Sequence, residues 1–107
     1  MADLLINLGA DVNIQNFVGV SPLLLAASHG NLKLMQLLLD NGAQIDAATV
    51  IGGTPLIEAL AKKHTRASLL LIRRGADVYV EHDDGMTPIK YAEQNKMTSV
   101  LKAIRSV

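Results

Sequence analysis

The residues that could carry out chemistry are few and scattered along this 107-residue chain. The histidines, His29, His64 and His82, form no H-x-x-x-H pair and have no acidic triplet beside them, so we predict solvated side chains and no metal site. Asp83 and Asp84 could act as an acid–base pair, but adjacent acids before a glycine are typical of a turn. The chain has no nucleophile elbow, P-loop or G-x-G-x-x-G motif. We therefore predict no catalytic residues, no cofactor and no enzyme.

One basic stretch could bind phosphate or nucleic acid, since it has five positive charges and no acid. It contains Lys62, Lys63, Arg66, Arg73 and Arg74. Its two halves are predicted to end two antiparallel helices, which places them at opposite ends of a hairpin roughly 14 Å long. Cations at a helix C-terminus also oppose the helix dipole. We expect two separate charge groups and no nucleic-acid partner, with an acidic or phosphorylated ligand as the alternative.

Composition limits the class of protein further. Ten Lys and Arg balance ten Asp and Glu, so no net field attracts nucleic acid or an anionic membrane. Apolar residues make up 50% of the chain and aromatic residues only 3%, so the core must be aliphatic. The chain contains no cysteine, which excludes disulfides and permits a reducing compartment. No apolar run approaches the roughly 20 residues that cross a bilayer, and the first residues do not resemble a secretory signal. These features predict a soluble, cytoplasmic or nuclear protein with no membrane partner.

The elements that position these residues follow a 33-residue repeat. Prolines recur at Pro22, Pro55 and Pro88, and Gly-Ala pairs recur at residues 9–10, 42–43 and 75–76. Three copies of such a unit account for nearly the whole chain, so there is room for one domain only.

Each unit is predicted to be a pair of helices joined by short turns. Ser21, Thr54 and Thr87 each precede a proline, the arrangement expected of an N-cap followed by the first helical residue. In the first unit, a helix that ends near Gly30 is followed by a second helix, about residues 32–40, that ends at a glycine. Residues 42–53 alternate between apolar and polar types and contain Gly-Gly, which predicts an extended connection with a tight turn.

These motifs resemble the ankyrin repeat. Residues 19–23, 53–56 and 85–89 look like its G-x-T-P-L signature, and residues 37–43 and 70–77 look like its L-L-x-x-G-A-D ending. The resemblance implies an all-α fold, an ankyrin-repeat α-solenoid of stacked helix-turn-helix units joined by β-hairpin-like turns. It also implies a protein-binding module.

The family pattern is broken at three positions of the repeat, one of them in the later units only. The usual histidine after T-P-L is absent. The glycine between the helices is kept at Gly30 but is replaced by Lys63 and Lys96, so we expect that turn to differ in the later units. The aspartate that begins the tip of each turn is also replaced. Its positions hold Asn16, Thr49 and His82.

The two ends of the array are predicted to differ. Residues 1–15 would be the end of a truncated repeat, because Met1 falls in the column of Leu34, and residues 16–48 and 49–81 would be full repeats. Residues 82–107 would be a C-terminal cap, since Glu93 and Arg105 replace residues that are apolar in the earlier units. The uncovered residues Leu4, Leu5 and Ile6 suggest either an excised piece of a longer array or an apolar N-terminal face that meets a partner or, by self-association, a second copy. We favour excision, because an open solenoid end lowers solubility.

The resemblance places partner binding on the turn tips and the exposed side of the first helix of each unit. In chain order these positions are Gln15, Phe17, Val18, Val20, Ser28 and His29; Ala48, Val50, Ile51, Ala61 and Lys62; and Glu81, Asp83, Asp84, Met86, Gln94 and Asn95. The first two tips are apolar, although turn tips are normally polar, and the third is acidic. We favour a binding patch over the alternative that the tips fold onto one another and are buried.

We therefore predict a non-catalytic module that binds another protein of unknown identity. A structural or regulatory segment of a larger enzyme, channel or scaffold is the alternative. Fold alone does not specify the partner.

Overall fold

The structure is a computed structural model, and it describes residues 12–105. Within these residues there are helices and turns and no strand. The helices are α1 (Pro22–His29), α2 (Leu32–Asp40), α3 (Pro55–Ala61), α4 (Thr65–Arg73), α5 (Pro88–Gln94) and α6 (Thr98–Arg105). The all-α prediction is confirmed, and the observed bounds of α1 and α2 agree with those expected from the sequence.

A hydroxyl residue caps the first helix of each pair. The side-chain oxygens of Ser21, Thr54 and Thr87 each accept a hydrogen bond, 3.2–3.3 Å long, from the backbone N–H three residues later. Proline follows each cap at the first helical position, where its missing N–H has no partner to lose. The repeated hydroxyl-proline pairs therefore fix three helix starts in the same way.

The turn between the two helices of each unit has the same left-handed backbone throughout. The φ angle is 68° at Gly30, 63° at Lys63 and 55° at Lys96. Each of these residues donates its N–H to the carbonyl three residues before it, and the following residue donates to the carbonyl five residues back. These bonds satisfy the last carbonyls of the helix and hold the turn. The prediction that the later turns differ is wrong, because the hydrogen bonds impose the conformation on lysine at a cost of about 1–2 kcal/mol.

The helices form two rows. Helices α1, α3 and α5 pack side by side in one row, and α2, α4 and α6 pack in the other. Each first helix also packs on the second helix of its own unit. The aliphatic core runs continuously between the rows through all three units, and its most deeply buried members include Leu23, Met35, Leu38, Leu56, Leu60, Leu71 and Val100.

The turns between units stack through direct hydrogen bonds. The N–H of Val50 donates to the carbonyl of Val18 at 3.0 Å, and one unit later the N–H of Asp83 donates to the carbonyl of Ile51 at 3.0 Å. The turns approach closely: a Cβ on Gly19, where φ is 89°, would lie 2.8 Å from the Cα of Thr49. Backbone contact of this kind keeps neighbouring tips in register.

At the C-terminal end of the array, Glu93 and Arg105 are exposed, whereas the equivalent Leu60 and Ile72 of the preceding unit are buried. The bounds proposed for the four repeat segments remain predictions. The expectations for Met1, Leu4, Leu5 and Ile6, and for an uncovered N-terminal face, lie outside the described residues.

Candidate protein-interaction surface

The three turn tips, residues 16–20, 49–53 and 82–86, are closed by one hydrogen-bond pattern. In each, the N–H of the first residue donates to the carbonyl of the fifth, over 2.8–3.2 Å. In the first two tips, the side chain that replaces the family's aspartate still accepts hydrogen bonds within its own turn. The Oδ1 atom of Asn16 accepts from two backbone N–H groups, the Oγ1 atom of Thr49 from one, and the Nδ1 atom of His82 faces the N–H of Asp84 at 3.4 Å. The tips are therefore built by hydrogen bonds within each turn, and in the first two tips these bonds do not involve the apolar side chains.

The first two tips expose apolar side chains. Phe17 is 95% exposed, Val50 70%, Ile51 52% and Val18 39%, while Val20 is half-buried. The hydrogen bond between Val18 and Val50 brings the two tips side by side. In the alternative, the tips fold onto one another and bury this surface. Phe17 does not fit that alternative, because its side chain is almost completely exposed to solvent.

The third tip carries acids in the same places. Glu81, Asp83 and Asp84 are exposed, and Met86 is half-buried. The carboxylate of Asp84 accepts from the N–H of Met86 at 3.0 Å and lies 3.1 Å from the Nδ1 atom of His82. The hydrogen bond from Met86 and, more weakly, the interaction with His82 hold the pKa of Asp84 below its ordinary value against the opposing effect of desolvation.

The residues of the first helices that were predicted to bind a partner fall into two groups, side chains exposed to solvent and side chains that are partly buried or bonded to a neighbouring unit. His29, Ala61, Lys62 and Gln94 are exposed, and Ser28 and Asn95 are half-buried. The amide of Asn95 donates to the carbonyl of Leu60 at 2.9 Å, so this side chain ties the third unit to the second.

Gln15 and Ala48 also meet at a junction between units. The amide of Gln15 donates to the carbonyls of Gly19 and Ala48, at 2.8 and 3.2 Å. Gln15 and Asn95 thus hold neighbouring units together, through two hydrogen bonds from the amide of Gln15 and one from the amide of Asn95.

Sequence reasoning missed the residues at one further position of the first helices. Leu25 is 52% exposed, and the equivalent Glu58 and Tyr91 are half-buried. The signal was available: in α1 the buried residues 23, 24, 26 and 27 lie on one side of the helix, and at 100° per residue position 25 points away from them. Leu25 and the exposed Ile14 line a groove of about 310 Å³ with Val20 and four other residues, Gln15, Asn16, Ser21 and Pro22.

Two acidic side chains, Asp84 and Glu58, act electrostatically on Tyr91. Burial raises the pKa of its hydroxyl, and the negative charges of Asp84 and Glu58 raise it further. The surface therefore changes from apolar at the first unit to acidic and aromatic at the third.

The other residues considered for chemistry lie apart from this surface or hold the fold together. His64 is half-buried, with its Nε2 atom 3.0 Å from the carbonyl of Ser28, so it links two units and is not solvated as predicted. His82, with a side chain 15% exposed, also departs from that prediction. Arg74 binds Asp40 through an ion pair of 3.0 Å, whereas Lys62 ends α3. Among residues 12–105, no three His, Asp or Glu side chains come together as metal ligands would.

No helix in the described part of the chain has the length and apolar character needed to cross a membrane.

Three helix pairs stacked in register, joined by protruding turns, define a helical-repeat protein whose exposed tips and first helices offer a continuous surface. The family model for ankyrin repeats, which describes three copies, matches residues 1–82. The chain belongs to the ankyrin repeat family, which is typically non-catalytic and whose members generally mediate protein–protein interactions. No curated protein gives a significant match to this chain. The described structure continues the same architecture beyond the matched residues, since α5 and α6 repeat the cap and the left-handed turn of the earlier units.

Proposed function

We propose that this protein is a non-catalytic module that binds a partner protein through its turn tips and the exposed side of its first helices. The observation that carries the proposal is the exposure of four apolar side chains on two adjacent tips, at positions where a turn normally presents polar groups. The absence of cysteine is compatible with action in the cytosol or nucleus.

The energetics favour the first tip as the anchor. Aromatic side chains bury the most area at an interface, and a few such residues carry most of the binding energy. Phe17 is the natural candidate, with Ile51 beside it on the next tip. The acids Asp83 and Asp84 would meet a basic group of the partner, and exposed charges of this kind act mainly on the association rate.

The test separates stability from binding. The partner would first be captured by affinity purification and identified by cross-linking mass spectrometry, and its affinity then measured by calorimetry. Phe17, Val18, Val50 and Ile51 would each be replaced by Ser. We expect each change to alter the free energy of unfolding by no more than about 0.5 kcal/mol, because these side chains are exposed. At least one of them, Phe17→Ser first, should cost about 2 kcal/mol or more of binding free energy.

Tyr79→Ser is the matched control, because Tyr79 is 72% exposed but lies outside the tips. It should leave the affinity unchanged. If Phe17→Ser and Ile51→Ser lower the melting temperature sharply while the affinity stays the same, the tips are part of the core and the proposal is wrong.

A further inference from the structure

Each unit has an inner corner, which we define as the last residue of the turn tip together with the residue five positions later on the following helix. The inner corners are Val20 with Leu25, Gly53 with Glu58, and Met86 with Tyr91. The members of each pair are five residues apart, and successive pairs are 33 residues apart. Because α1, α3 and α5 pack side by side, the three inner corners adjoin one another along the array.

The inner corner of the first unit is an apolar groove. Ile14, 63% exposed, and Leu25, 52% exposed, form its walls together with Val20. The groove has a volume of about 310 Å³, which accommodates an aliphatic or aromatic side chain. Its lining contains no charged side chain.

The inner corner of the second unit holds a carboxylate without a partner. Gly53 contributes no side chain there, and a Cβ on it would lie 3.3 Å from the Oε2 atom of Glu58. Within residues 12–105 the carboxylate of Glu58 makes no ion pair and accepts no hydrogen bond. Its negative charge is thus available to a ligand.

The inner corner of the third unit adds an aromatic ring beside this carboxylate. The half-buried Tyr91 occupies on α5 the position that Glu58 occupies on α3, and these two helices pack side by side. Burial, and then the charges of Asp84 and Glu58, raise the pKa of the Tyr91 hydroxyl. The neighbouring cation on α5, Lys90, directs its ammonium group to the carbonyl of Gly85 at 3.0 Å. Carboxylates next to an aromatic ring are the surroundings that a guanidinium group prefers, because it can stack on the ring and donate several hydrogen bonds in one plane.

We propose that the three inner corners together bind one linear peptide segment of a partner, with an aliphatic or aromatic side chain in the groove of the first unit and an arginine between Glu58 and Tyr91. This inference rests on the proposed function and names the chemistry of the partner. Charge complementarity identifies the occupant: the carboxylate of Glu58 and the ring of Tyr91 suit a guanidinium group, and one extended peptide can place an arginine there and an apolar side chain in the groove.

The spacing of the two side chains follows from the spacing of the helices. Packed helices lie roughly 8–10 Å apart, so the distance from the first inner corner to a point between the second and third is roughly 12–15 Å. An extended chain advances about 3.3 Å per residue. The anchor and the arginine should therefore be about four or five residues apart in the peptide.

The experiment uses synthetic peptides of about twelve residues built from Gly, Ser and Ala, with one Leu and one Arg at varied spacing. Each would be titrated into the isotopically labelled full chain and followed by NMR. We expect the largest chemical-shift changes at the amides of Val20, Leu25, Glu58 and Tyr91, and the highest affinity at the spacing of four or five. Replacing Arg by Gln in the peptide should weaken binding roughly fivefold, as expected of a partly exposed ion pair supported by an aromatic ring.

Glu58→Gln in the protein should weaken binding of the Arg-containing peptide by the same factor and leave binding of the Gln-containing peptide unchanged. Glu81→Gln is the control, because Glu81 is an exposed acid outside the inner corners. If the shifts lie on the turn tips alone, or if Glu58→Gln weakens both peptides equally, the inference is overturned while the proposed function stands on the tip variants. No binding by any peptide of the series also overturns it.

Discussion

The second and third units share one backbone but have different surroundings. In both, a capping threonine begins the first helix and a left-handed lysine connects the helices. The second unit has neighbours on both sides, since α3 packs against α1 and α5, and α4 packs against α2 and α6. Among the described helices, those of the third unit have a neighbour on one side only.

The consequence appears in the side chains. Leu60 on α3 is fully buried, and its equivalent on α5 is the exposed Glu93. The carbonyl of Ile51 in the second tip accepts from the N–H of Asp83, but a Cβ on Gly85 in the third tip would meet nothing within 4 Å. The caps and turns, which local hydrogen bonds fix, are therefore the same in the two units. The exposure of equivalent side chains, which depends on the neighbouring units, differs. Four predictions test this distinction.

The largest difference is expected in the core. Leu71→Ala in the second unit should lower the free energy of unfolding by about 2–5 kcal/mol, because it opens a cavity between packed units. Ile104→Ala, the equivalent change in the third unit, should cost less, since fewer elements surround it. Denaturant titration measures both, and Leu25→Ala is the control, since truncating an exposed leucine should change stability by no more than about 0.5 kcal/mol. Equal losses at Leu71 and Ile104 would argue against a linear array.

The second prediction concerns the exposed end of the third unit. Replacing Glu93 and Arg105 by Leu adds apolar surface where a further unit would pack, so the protein should self-associate at high concentration. Replacing Lys33 and Gln36, two exposed residues of α2, by Leu is the matched control. Sedimentation velocity would show the difference. If the Glu93 and Arg105 variant stays as monomeric as the parent, this end is not a cap.

The third prediction concerns the left-handed lysines, where we expect the two units to agree. Lys63→Gly and Lys96→Gly each remove a strain of about 1–2 kcal/mol, and the greater freedom of glycine in the unfolded chain offsets about 0.5–1 kcal/mol of that gain. Both variants should therefore be more stable by up to about 1.5 kcal/mol, and by similar amounts. Thermal unfolding measures the change. A gain in one unit and a loss in the other would show that the turn is not determined locally.

The smallest effect is expected at the third tip and depends on pH. Because the pKa of Asp84 is lowered in the folded protein, its contribution to stability is complete above its ordinary pKa and is lost as the pH falls through the lower folded value. The amide of Met86, which donates to Asp84, should change its chemical shift in that acidic range. Asp84→Asn should abolish this titration, and the amide of Gly53, whose acceptor is the hydroxyl of Thr49, should not respond. An identical response at both amides would contradict the assignment.

The sequence by itself determined the repeat, the helix starts and the helix ends, because these depend on residues close together in the chain. A hydroxyl before proline caps a helix wherever it stands, and Gly30 predicted where the first helix ends. Lysine at the same position misled the prediction, since the hydrogen bonds of the helix end override the preference of a single residue. The exposure of Phe17 could be suspected from the sequence, because an apolar residue in a turn tip has no adjacent core to join.

Only the tertiary structure decided which surface residues act together. The groove at Leu25, the carboxylate of Glu58 and the ring of Tyr91 belong to three helices and become neighbours through the packing of α1, α3 and α5. The engagement of Gln15 and Asn95 in contacts between units was likewise invisible, because each donates to a carbonyl 33 to 35 residues away. Contacts across such separations depend on how the units stack, and stacking is fixed by the shape of the whole core.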